Sequence, residues 1–267
     1  AGADGVLLMT SDPHCSEYLP DYYNALPWFS GFTGENSTLV VNQHNSALWC
    51  DGRFYVQADK QLAGTEIQCM HAGSAGVPTV AEYLTANFTA GETLLLDGSC
   101  VPATLAEEYA AALAKSGAAL KSQDVASSIW DATGERKPLP DTACELLTPA
   151  QTGATAADRI ALVRAELEKA GATALAVTGL DCVGWLLNLR ARDLPCTPLA
   201  VAYALVTREA CTLFLADGRL NAEDAATLAA SGVTVRGYNE LVDAVHALPA
   251  DEVFLVDEKA TNYDLYT

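Results

Sequence analysis

Basic residues are scarce in this chain: 15 Lys and Arg stand against 34 Asp and Glu in 267 residues, a formal net charge of −19. Phosphate-backbone contacts need clustered Lys and Arg, so nucleic acid is excluded as a partner and an acidic soluble protein is the plain reading. No apolar run approaches the roughly 18 to 20 residues of a membrane helix, which leaves no membrane partner. No charged-then-apolar leader marks a signal peptide. Ligand spacing is missing as well. The eight Cys, at 15, 50, 69, 100, 144, 182, 196 and 211, form no C-x-x-C. Several lie in apolar strands, where Cys acts as a small hydrophobe, and free thiols of this kind fit a reducing compartment, so a cytoplasmic location is expected. The four His, at 14, 44, 71 and 246, are isolated along the chain. A metal site needs several convergent His, Cys, Asp or Glu side chains, so no metal ligand is assigned. Aromatic residues make up only 7% of the chain, and the abundant Ala points to small-residue helix packing.

What is present is a duplication. Thr38 to Arg53 (TLVVNQHNSALWCDGR) and Ala204 to Arg219 (ALVTREACTLFLADGR) match without a gap. Both read as strand, tight turn, strand, then Asp-Gly-Arg, and self-similarity of this kind decides the fold before any local detail does. The match runs on to apolar strands at Thr65 to Gln68 and Ser231 to Thr234, and after a small gap Leu94 to Asp97 faces Phe254 to Asp257. Upstream, Trp28 faces Trp185, and Val6 to Met9 faces Ala174 to Val177. The second copy opens with a helix that the first lacks, Thr155 to Ala170, with a Thr155/Asp158 capping box, Ile160, Val163, Leu167 and Ala170 on one face and Gly171 as its stop. The first copy continues through a helical stretch, Ala103 to Lys115, that the second does not reach. These unequal ends predict a fragment of a longer protein.

Domain organisation follows. Asp131 to Ala154 carries three Pro and two Gly without sustained periodicity and reads as the region of the linker. The expected boundaries are 1–136 for the first domain, 137–149 for the linker and 150–267 for the second. The short link Asn42 to Ser46 can join only antiparallel strands, so each sheet is mixed. Helices over Arg53 to Leu62 and Ala103 to Lys115 would cover it. The fold class is α/β: two similar tandem domains, each a mixed β-sheet flanked by helices.

Candidate chemistry is sparse. Gly73-Ser74-Ala75-Gly76 is no nucleophile elbow, because Val77-Pro78 follows it. Gly31-Phe32-Thr33-Gly34 has no phosphate-loop spacing and reads as a turn that allows close backbone approach. His14 lies in a dense polar cluster, Ser11 to Tyr18, that could line a site; equally, Asp12-Pro13 makes a turn and Glu17 starts a helix. In Asp51-Gly52-Arg53 the Asp can cap a helix start, the Gly permits the tight turn and the Arg can reach a carboxylate. Its recurrence as Asp217-Gly218-Arg219 favours a structural cap, while a binding role for Arg53 stays open. No complete active site emerges.

Four motifs together resemble the long, three-domain Xaa-Pro aminopeptidases (aminopeptidase P): Ser11-Asp12-Pro13-His14-x-Ser16-Glu17-Tyr18, Trp28-Phe29-x-Gly31-Phe32-Thr33-Gly34, Ala47-Leu48-Trp49-x-Asp51-Gly52-Arg53-Phe54 and Asp181-x-Val183-x-Trp185-Leu186-Leu187-Asn188-Leu189-Arg190. The resemblance covers nearly the whole chain, in order. It implies two tandem creatinase-type N-terminal domains without the catalytic domain, so no catalytic residue, metal ligand or cofactor in this region and no activity from it alone. In the missing domain it implies two divalent metal ions, manganese, held by two Asp, one His and two Glu, that activate water to release the residue preceding proline. It further implies peptides with proline at the second position as partners, a homodimer, restricted substrate access and a substrate-binding role for Arg53. Glu35-Asn36 stands where the family usually has Ser-Ala, and Arg192 where a Gly is common. The alternative is a stand-alone peptide-binding or oligomerisation module that lost the peptidase domain.

Overall fold

Alternation of side chains across short β-branched and Leu-rich strands builds the first sheet. The computed structural model describes residues 2–267. Its first sheet contains β1 (Gly5–Met9), β2 (Thr38–Asn42), β3 (Ser46–Cys50), β4 (Ile67–His71), β5 (Thr93–Leu96) and β6 (Ala119–Ser122), in the order β4-β3-β2-β1-β5-β6. The β1/β2 and β2/β3 pairs are antiparallel, while β3/β4, β1/β5 and β5/β6 are parallel. Successive strand residues point to opposite faces. Leu7, Val40, Ala47, Trp49, Leu94 and Leu96 therefore join one core with Tyr83, Leu84 and Phe88 of the Val80–Asn87 helix and Tyr109 and Leu113 of the Ala103–Ser116 helix. Leu39, Leu48 and Cys50 join the other, with Leu26, Phe32, Ala58 and Leu62.

The second sheet contains β8 (Ala174–Val177), β10 (Ala202–Thr207), β11 (Cys211–Leu215), β12 (Val233–Arg236) and β13 (Phe254–Leu255), ordered β12-β11-β10-β8-β13. A separate antiparallel pair joins β7 (Glu145–Leu146) to β9 (Leu189–Arg190). Strand for strand this repeats the first sheet up to β5, with the same mixture of directions. Both the duplication and the expected mixed α/β class are borne out. The Ala156–Lys169 helix carries the expected Thr155/Asp158 capping box and buries Ile160 and Leu167.

The chain divides into two compact units, residues 1–138 with 261–267 and residues 139–260. This differs from the sequence boundaries at two places. Within 137–149, Cys144 is buried in the second unit's core and β7 is paired there, so part of the Pro-containing stretch is sheet rather than linker. Residues 261–267 pack into the first unit: Ala103 N donates to Thr261 O (2.9 Å), Tyr263 N to Val101 O (2.9 Å), and the Asn262 side chain donates to Pro13 O (2.9 Å). Asn262 Oδ1 also accepts from Leu265 N at 3.0 Å, capping the Tyr263–Tyr266 turn. Local pattern could not reveal this, because a short polar tail carries no periodicity to say which sheet it joins. Asn262→Ala removes a helix cap and leaves the buried Pro13 carbonyl unpaired, which costs about 1–3 kcal/mol. Urea unfolding followed at Trp49 is expected to show that loss.

Candidate functional site

At the end of β3 the chain must turn out of the sheet, and Asp51 organises the turn with its own side chain. Asp51 Oδ1 accepts from the Arg53 backbone N at 2.9 Å, and Phe54 N donates to Asp51 O at 3.0 Å. This Asx-type turn consumes the first free N–H groups, so the helix begins at Tyr55 and runs to Gln61, two residues later than expected. Asp51 caps the turn, not the helix.

The Arg53 guanidinium folds back on the same carboxylate, Nε to Oδ1 at 3.1 Å and Nη2 to Oδ2 at 2.7 Å. Asn36 Nδ2 donates to Oδ2 at 3.0 Å. Arg53 first, helped by Asn36 and the Arg53 N–H, holds the Asp51 carboxyl well below the usual carboxylate range. The Arg53 side chain remains 61% exposed, with Glu35 and Glu17 adding negative potential around it. Asn36, one of the two departures from the resembled motif, is thus built into the turn, with φ of 50°. Beside it lies a cleft of about 480 Å³ lined by Asn36, Thr38, Trp49, Asp51, Ser74 and Pro78. Trp49 Nε1 donates to Pro78 O (2.8 Å) and fixes its wall. The Gly31–Gly34 loop makes the expected close approach: Gly31 is left-handed at φ 74° and Gly34 lies against the buried Phe32 ring. Thr33 N donates to Gln61 Oε1 at 3.0 Å, tying that loop to the helix after Arg53.

The repeated Asp-Gly-Arg behaves differently. Gly218 adopts φ 74°, whereas Gly52 does not enter the left-handed region, and the next side chain turns inward. Arg219 is 3% exposed and makes a two-pronged pair with Asp193, Nη2 to Oδ1 at 2.7 Å and to Oδ2 at 2.6 Å. Its Nε donates to Thr142 O (2.8 Å), and Asp193 also accepts from Thr142 Oγ1 and Val201 N, each at 2.6 Å. One Arg faces solvent beside a cleft; its counterpart holds a buried polar network.

His14 lies elsewhere. Asp12 Oδ1 accepts from His14 N (3.0 Å) and Ser16 N (2.9 Å), so the cluster is a capped turn; no helix starts at Glu17. His14 itself is 2% exposed, and the Asn262 side chain holds the adjacent Pro13 carbonyl. The Asp181-to-Arg190 motif is scaffold: Arg190 Nη1 donates to Gly184 O at 2.7 Å, and Arg159 bonds the Asn188 side chain and the Trp185 carbonyl.

Spacing along the chain missed one constellation. Asp59, Cys69 and His71 place their ligand atoms within 4.8 Å of one another, the one such group of three or more His, Cys, Asp or Glu among the described residues. The signal was Cys-x-His on a strand, where alternation puts both side chains on one face. Burial, then Cys50 and Asp59 beside it, pushes the Cys69 thiol up to about 12. Three donors of mixed type do not fit a two-Asp, one-His, two-Glu dinuclear centre, so no hydrolytic step is derived from this chain.

The creatinase/prolidase N-terminal domain model matches residues 1–129, and a second model of that description matches residues 135–267. The chain belongs to the creatinase/prolidase N-terminal domain family. Aminopeptidase P2 of Arabidopsis thaliana is 30% identical over 97% of this chain and 37% of its own length. A probable Xaa-Pro aminopeptidase P of Chaetomium globosum is 33% identical over 91% of this chain and 39% of its own. The chain therefore spans under half the length of these relatives. An X-prolyl aminopeptidase from Caenorhabditis elegans, described as a cytosolic enzyme with a di-nuclear active site, superposes with a TM-score of 0.92 at 27% identity. It covers 98% of this chain, which matches 44% of that one. No helix among the described residues is long and apolar enough to cross a membrane.

The two Arg residues generate a direct contrast. Arg219→Ala strands the buried Asp193 and is expected to cost about 3–5 kcal/mol. Arg53→Ala removes a solvent-screened contact and leaves the unfolding midpoint of the chain unchanged. Thermal and urea melts of both variants measure the difference.

Proposed function

We propose that this chain is the non-catalytic N-terminal region of a metal-dependent Xaa-Pro aminopeptidase, acting with a catalytic domain beyond it that holds two divalent ions, manganese, and releases the residue preceding proline. The observation that carries the reading is the match along 98% of the chain to less than half of an X-prolyl aminopeptidase whose active site is di-nuclear. Arg53 is the substrate-contacting residue of this region. Its guanidinium is oriented by Asp51, exposed, and adjacent to an open cleft, which suits it to meet a peptide carboxylate or carbonyl as a fork of donors. The region also restricts access to short or unstructured peptides and supports a homodimer. The eight free cysteines agree with a cytoplasmic location.

The purified 267-residue chain with manganese and an Xaa-Pro peptide is expected to show no turnover. In the full-length enzyme, Arg53→Ala lowers kcat/KM for such peptides about tenfold with Tm unchanged, the loss of one charge-assisted contact to substrate. Arg219→Ala lowers Tm while kcat/KM of the folded enzyme is retained. Turnover by the chain alone, or equal and purely structural losses in the two variants, would sink the proposal.

A further inference from the structure

The Asp59–Cys69–His71 constellation is independent of the Arg53 reading. Cys69 and His71 lie two apart on β4 and so share the face covered by the Tyr55–Gln61 helix, from which Asp59 descends. Asp59 Oδ1 and His71 Nε2 are 2.9 Å apart. The Cys69 thiol lies within 4.8 Å of the ligand atoms of both Asp59 and His71. The His71 ring is not free to wander, because Tyr55 stacks on it with centroids 4.1 Å apart and an interplanar angle of 7°. Tyr55 in turn is held by its hydroxyl donating to Ala72 O. A His–Asp hydrogen bond by itself needs neither the thiol nor the stacked ring.

Nitrogen, sulfur and carboxylate donors together suit a borderline-soft divalent ion rather than calcium or magnesium, which prefer all-oxygen sets. Around one tetrahedral zinc, with bonds of about 2.0–2.3 Å, the donor atoms sit about 3.3–3.8 Å apart. The observed donor atoms lie within 4.8 Å of one another, with Asp59 Oδ1 and His71 Nε2 at 2.9 Å. His71 and Asp59 are 34% and 53% exposed at the side chain, which leaves an entry path and room for a water in the fourth position. We propose that Asp59, Cys69 and His71 form a zinc-binding site, in which one exchangeable Zn²⁺ staples the Tyr55–Gln61 helix to the edge strand β4. Binding replaces the Cys69 S–H bond by a S–Zn bond and releases that proton to solvent, with no change of oxidation state. Cys50, buried on the neighbouring strand β3, pairs in register with His71.

Cobalt titration of the 267-residue chain tests this directly. One equivalent of Co²⁺ is expected to give a thiolate-to-metal charge-transfer band and four-coordinate visible absorption, both displaced by Zn²⁺. Cys69→Ser removes the charge-transfer band, and His71→Gln and the surface change Asp59→Asn each weaken Co²⁺ binding tenfold or more. Replacing the exposed Cys182 and Cys196 by Ser leaves the spectrum unchanged. Zn²⁺ at a hundredfold excess over its Kd raises Tm by roughly 5 °C in the parent chain and not in Asp59→Asn. Absence of a charge-transfer band overturns the proposal. So does a band that survives Cys69→Ser and vanishes with the Cys182 and Cys196 replacements, since that marks adventitious thiol binding.

Discussion

Each sheet hangs on inner strands that accept an antiparallel neighbour on one edge and a parallel neighbour on the other. In the first unit these are β1, between β2 and β5, and β3, between β2 and β4; in the second they are β8, between β10 and β13, and β11, between β10 and β12. Such a strand has both edges paired, so its backbone groups are satisfied by the ladder and every one of its side chains is left to the two packed layers. Leu7 goes to the core under the Val80–Asn87 and Ala103–Ser116 helices, and Leu8 to the core under the Tyr55–Gln61 helix. The parallel edge requires a long excursion of chain, and the antiparallel edge a short hairpin. The hairpin then delivers β3 to the start of a strand–helix–strand unit, and it is there that the solvent-facing chemistry of the first unit collects.

That strand–helix–strand unit concentrates polar function by simple geometry. The turn after β3 carries Asp51 and Arg53, the helix after it carries Tyr55, Asp59 and Gln61, and β4 carries Cys69 and His71. Because the helix lies against the sheet face, its four-residue repeat aligns Tyr55 and Asp59 over His71. The second unit has the same frame but spends its Arg on cohesion. A buried carboxylate such as Asp193 is tolerated only because Arg219, Thr142 and Val201 satisfy it together. Duplication supplied two copies of a turn; burial made one of them structural.

Much of this was legible from residue order. The ungapped match of Thr38–Arg53 with Ala204–Arg219 carried the antiparallel hairpin of both sheets, because so short a link can join only antiparallel strands. The capping box at Thr155 and the left-handed stop at Gly171 were equally visible, since caps are local chemistry. His14 was not legible: a polar run on the sequence gives no hint that the turn folds inward and that Asn262, far along the chain, closes against it. Nor was the tail's membership of the first unit, as seven residues without a period bury too little to announce their partner.

By themselves, the residues determined the repeat, the mixed sheets and the family, because these depend on interactions between near neighbours and on periodicities of two and 3.6 residues. They also determined which side chains could do chemistry. Tertiary structure alone decided which of them meet. One Asp-Gly-Arg leaves its Arg in solvent and the other buries its Arg against Asp193, and the packing of a helix on an edge strand brings Asp59 to Cys69 and His71. Those outcomes rest on contacts between residues distant in the chain and on what burial makes of a charge, and neither is encoded at any single position.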